Sequence, residues 1–132
     1  MTKKQKTPDS KTTFVHLAGD LSQGAAIDTS SASERVLIPE RAIDVDEIVF
    51  RAREDIPEVF VQRGDLLIVE RRKPESAATG ESVVVLIGDR SFIGQWWTKH
   101  GERALLNDGL DSIIEDREMR ILGAITTIVR WR

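Results

Sequence analysis

Few side chains in this sequence are of a type that does chemistry. It contains no cysteine, which excludes disulfides, thiolate metal sites and cysteine nucleophiles. His16 and His100 stand alone, without an acidic or histidine neighbour at ligand spacing. A metal site needs three or four converging ligands, so both histidines read as surface residues and no cofactor is expected. A serine beside a lysine is a different matter. Desolvation lowers the lysine pKa, and the free amine can then take the proton of the serine hydroxyl and make it a nucleophile. Ser91 and Lys99 are the pair to consider. On one extended strand, rising about 3.3 Å per residue, they stand far outside hydrogen-bond reach. The remaining cluster is Glu54, Asp55 and Glu58. Paired carboxylates can do acid–base work, but Arg51, Arg53 and Arg63 alternate with them, a pattern that predicts surface salt bridges.

The elements that must carry these residues follow from the rest of the chain. Its 132 residues suit one domain with one core. A hydrophobic share of 40% and a charged share of 31% are those of an ordinary globular protein, and a net charge of −3 supplies no basic field for nucleic acid. The longest apolar run, residues 83–87, is far short of the ~20 residues of a membrane helix. Lys3, Lys4 and Lys6 precede no apolar segment, so the start does not read as a secretory signal, and a cytoplasmic protein is expected.

Residues 1–13 read as a polar, lysine-rich disordered tail. Residues 14–33, FVHLAGDLSQGAAIDTSSAS, are rich in small residues and read as an extended arm rather than a core element. Residues 34–132 read as the β domain. ERVLIPERAID holds a short apolar run closed by Pro39. DEIVFRAR alternates, with Ile48 and Phe50 on one face and Val49 and Arg51 on the other. Pro57 breaks this strand. GDLLIVE and ESVVVLIGD are aliphatic, bounded by turn formers, and predict buried strands. Gly88 and Asp89 predict a two-residue hairpin into RSFIGQWWT. ERALLND predicts a short strand and MRILGAITTIVRWR a long one. No 3.6-residue stripe persists, so little helix is expected, and the spacing of many short strands predicts a mostly β, folded-over architecture.

In order and spacing, QRGDLLIVE, GESVVVLIGDRSFIGQWW, RILGAITTIVR and the LAGD of the arm resemble the C-terminal domain of LexA-type repressors and UmuD proteins. These are self-cleaving serine peptidases of the SOS response. The resemblance covers residues from about 14 to the end. It implies a LexA/signal-peptidase-like bent β domain that dimerises, a cleavage site between Ala18 and Gly19, and a Ser-Lys dyad. Both dyad residues are missing. No serine occurs anywhere in residues 34–75, and the serine position holds Asp55 or Ile56, depending on where a gap falls. The lysine position holds Gly94, and Gln95, one step along the strand, points to the other face.

The expectation is therefore a non-catalytic relative acting as a protein-interaction module. The alternative is self-cleavage between Ala18 and Gly19 through a non-standard dyad. The resemblance implies a homodimer whose partner is a translesion polymerase, a recombinase filament or a LexA-type repressor. Too few residues precede Phe14 for a helix-turn-helix, so sequence-specific DNA binding is not expected. Trp96 and Trp97 must face opposite sides of a strand, so at most one is core. The other, with Trp131 near the chain end, is a candidate interface residue.

Overall fold

A computed structural model describes residues 13–39, 41–72, 77–99, 102–107 and 119–130. Within them the chain runs through β1 (Thr13–His16), β2 (Gly19–Leu21), β3 (Arg35–Ile38), β4 (Glu47–Ala52), β5 (Leu66–Glu70), β6 (Ser82–Ile87), β7 (Arg90–Lys99), β8 (Glu102–Leu106) and β9 (Arg120–Val129). Helical turns among the described residues are two short 3-10 pieces, Thr29–Ser31 and Pro57–Val59. The fold is mostly β. No helix among the described residues is long and apolar enough to cross a membrane.

β1 and β3 form a two-stranded ribbon. The other seven strands form one sheet in the order β2-β4-β5-β9-β6-β7-β8. All its pairings are antiparallel except β2 with β4. The β6–β7 hairpin turns at Gly88, whose φ of 63° suits a two-residue loop. β9, the central strand, slips register against both neighbours, between Ile68 and Val69 of β5 and between Val84 and Val85 of β6. Such bulges bend a sheet. Gly123 of β9 lies so close to the Glu70 carbonyl that a Cβ there would collide with it.

Strand alternation sorts the apolar side chains onto two faces. Phe50, Ala52, Leu67, Val69, Val84 and Ile93 meet Leu21 and the second 3-10 turn in one cluster on one face. On the other face, Val49, Leu66 and Ile68 pack under the ribbon with Leu17 and Ile38. Val83, Val85, Trp96, Leu105 and Ile121 form a third cluster. The segment read as an extended arm rather than a core element is extended but contributes to the core. Leu17 and Leu21 are 1% and 0% exposed, and both belong to the core. The small residues beside them concealed this, because each strand needs only one large side chain pointing inward.

Candidate functional site

The Gly-Asp corner at residues 64 and 65 sets one wall of the site. Gly64 takes a φ of 92°, which a side chain resists. The turn points the Asp65 carboxylate inward. It accepts from the Gln62 backbone N–H at 2.7 Å and from Nε and Nη2 of Arg130, each at 2.8 Å. Burial pushes the Asp65 carboxyl up, but the Arg130 and Gln62 hydrogen bonds outweigh it and hold it below its ordinary value. The corner thus ties β5 to the end of β9.

Next to it lie the two residues at the expected serine position. Asp55 is exposed, and its Oδ1 accepts from the Arg63 backbone N–H at 2.8 Å. Ile56 is 1% exposed and belongs to the inner core cluster. Its backbone pairs with Val61 in both directions, at 2.8 and 3.1 Å, which closes residues 56–61 into a small loop. At the expected lysine position, Gly94 is buried in β7. A Cβ there would run into the carbonyl oxygen of Leu106 on β8. The pairing of β7 with β8 leaves no room for a side chain at residue 94.

The structure places Ala18 and Gly19 against β4. The Ala18 N–H donates to the Val49 carbonyl at 2.8 Å, and Gly19 is paired with Phe50. A Cβ on Gly19 would lie 2.8 Å from the Asp28 carbonyl oxygen. This peptide bond is a structural part of the sheet. The segment that reaches β7 is residues 22–25. Gly24 donates to the Ser91 carbonyl at 2.8 Å, and the Ser91 N–H donates to the Ala25 carbonyl at 2.8 Å. The Gln23 side chain completes the contact like a strand residue. Its Oε1 accepts from the Ile93 N–H at 2.7 Å, and its Nε2 donates to the Ile93 carbonyl at 2.8 Å. Asn107 Nδ2 donates to the same carbonyl at 2.6 Å. The Gln23 N–H donates to Glu54 at 3.0 Å. The loop that leaves β2, at one end of the sheet, therefore caps the free part of β7 near the other end.

Both ends of this loop are pinned by Asp20. Its backbone bonds Asp28 in both directions, at 2.8 and 3.0 Å. Its buried carboxylate accepts from Arg51 Nε at 2.9 Å, Arg53 Nη2 at 2.7 Å and Ser31 Oγ at 3.2 Å. Burial pushes the Asp20 carboxyl up, and the Arg51 and Arg53 hydrogen bonds bring it below its ordinary value. Arg51 and Arg53 thus do not serve Glu54, Asp55 and Glu58, as their alternation in sequence suggested. Sequence reasoning missed Asp20 and Gln23. The arginine partners of Asp20 and the Ile93 partner of Gln23 lie tens of residues away, and no local spacing marks them.

Ser91 is buried, and its Oγ donates toward the carbonyls of Ser22, at 3.3 Å, and Ala25, at 3.0 Å. It fastens the loop, with no base among its hydrogen-bond partners. The side chain of Lys99, His100, Trp131 and residues 1–12 lie outside the described residues. His16 is exposed, as expected. Trp96 is 1% exposed, while Trp97, beside Ala104 of β8, is 43% exposed, so the pair divides between core and surface. No group of three or more His, Asp or Glu side chains among the described residues could hold a metal ion. No protein-family model matches the chain, and a search of curated proteins finds no match.

Proposed function

We propose that this protein is a non-catalytic relative of the LexA/UmuD-type peptidases, working in the cytoplasm as a dimeric protein-interaction or regulatory module. DNA-damage response, translesion synthesis and prophage control are the settings the resemblance suggests. A translesion polymerase, a recombinase filament or a LexA-type repressor is the corresponding partner. The observation that carries the reading is Gly94: where a lysine base would stand, the Leu106 carbonyl excludes any side chain. The other half of the dyad is replaced by Asp55 or Ile56, neither a nucleophile of the required kind. Further support comes from residues 22–25, which are bonded to Ser91 and Ile93 along the free part of β7, as a retained internal ligand would be.

Two measurements test this. Prolonged incubation at alkaline pH, where a lysine base is neutral, followed by intact mass, is expected to show an uncut chain. Release of a fragment ending at Ala18, or within residues 22–25, that Ser91→Ala or Lys99→Ala abolishes would establish the self-cleaving alternative. Sedimentation at tens of micromolar is expected to show a dimer, and a strict monomer would remove that part of the proposal.

A further inference from the structure

Beside the Gly-Asp corner is an open depression of about 480 Å3, lined by Asp55, Pro57, Phe60, Val61, Gln62 and Arg130. Phe60 stands out in it for two reasons. Its ring is 80% exposed, and its backbone has a φ of 62°, the one positive value at a non-glycine among the described residues. A turn that needs left-handed backbone is served best by Gly or Asn. An aromatic side chain there gains little from the fold, because its ring is in water. The conformation is fixed nonetheless: the Ile56–Val61 bonds close the loop, and Arg130 Nη2 donates to the Phe60 carbonyl at 3.1 Å. The loop therefore presents the ring at the rim of the depression on a rigid base.

The charges around it are unequal. Arg130 is matched by Asp65 through two hydrogen bonds, so that pair is neutral as a unit. Its Nη1 takes no partner among the described residues. Asp55 uses Oδ1 on the Arg63 N–H, and its second oxygen has no partner there. Glu54 precedes it in sequence, and the exposed Arg63 offers Asp55 its backbone N–H. An exposed aromatic face beside a carboxylate attracts a cation on a long apolar stem.

We propose that this depression receives an arginine or lysine side chain from an extended partner peptide. The cationic head pairs with Asp55, the stem lies across Phe60, and a main-chain carbonyl of the peptide accepts from Arg130 Nη1. The proposal rests on the interaction-module reading and names the surface through which the module would act.

The test is a titration of the ¹⁵N-labelled full chain with N-acetyl-arginine methylamide, followed by amide shifts. The norleucine and glutamate analogues are the controls. Saturable shifts at Asp55, Phe60, Val61 and Gln62 are expected with the arginine compound alone. Phe60→Asn and Asp55→Asn are each expected to weaken binding about two- to fivefold. Phe60→Asn keeps the turn, because Asn tolerates left-handed backbone, so an unchanged melting temperature checks the fold. Equal shifts with norleucine, no saturation, or full affinity in both variants would overturn the site. Sedimentation and intact mass on the same samples separate the two readings. A dimeric, uncut chain that ignores arginine defeats the pocket alone, whereas a self-cleaving monomer that binds arginine defeats the module alone.

Discussion

Asp20→Asn is the most informative single change, because it alters charge and little else at the point where the crossing loop is pinned. The wild-type carboxylate is fully buried and takes hydrogen bonds from Arg51, Arg53 and Ser31. Breaking a buried pair by removing one partner costs about 3–5 kcal/mol. The two arginines are 27% and 46% exposed and keep contacts with Glu34 and Asp28, so water and those carboxylates recover part of the loss. About 2–4 kcal/mol remains. Unfolding entropy near 2.1 cal/mol/K per residue gives a 132-residue chain about 0.28 kcal/mol per degree. The melting temperature at pH 7 should therefore fall by roughly 7–14 °C. The pH dependence supplies an independent check. The folded-state pKa of Asp20 is lowered, so its stabilisation is complete above the unfolded value, near 3.9, and fades as pH falls through the folded value. The gap between wild type and variant should narrow below about pH 4. Thermal unfolding by circular dichroism from pH 7 to pH 3 measures both. A shift under about 2 °C at pH 7, or a gap that stays constant into acid, would refute the reasoning.

Two further outcomes are expected. Gln23→Ala removes both bonds to the Ile93 backbone and should cost about 1–3 kcal/mol. Hydrogen exchange at the Ile93 amide should accelerate by at least the corresponding factor, and Phe50 and Leu67 by no more than the loss of global stability allows. Gly94→Ala should cost about 1–3 kcal/mol or displace β8, because its Cβ meets the Leu106 carbonyl. Urea unfolding reads the first, and loss of the β7–β8 amide pairing by NMR reads the second.

The sequence announces most of the strands and little of what joins them. β4 to β6 are legible because each is a short apolar run near Gly, Pro or Asp, and the Gly88-Asp89 turn sets the register of β7 on β6 outright. The split between Trp96 and Trp97 follows from alternation alone. β1 and β2 are not legible, since three or four residues with one inward side chain each carry too little hydrophobic signal. The site divides in the same way. The residue types at positions 55, 56 and 94 are legible in the sequence, yet the reason residue 94 must be glycine lies on β8. The pairing of Arg51 and Arg53 was misjudged because neighbours in sequence offered three carboxylates, whereas the fold supplies a buried fourth at Asp20.

The crossing loop also bears on how the chain is made. Gln23 and Ile93 are 70 residues apart. At 5–20 residues per second, the ribosome delivers the second roughly 4–14 s after the first. Throughout that interval residues 22–25 have no edge to bind. The loop is already made when the β6–β7 hairpin emerges, so the edge of β7 stays open only until the two meet. Local hairpins form on the microsecond scale, so the waiting is set by translation and by the long-range closure rather than by strand formation. Sheet edges left open invite pairing with other chains. A nascent copy of this protein is thus most exposed to aberrant association in the seconds before β7 is made, while residues 22–25 wait for it.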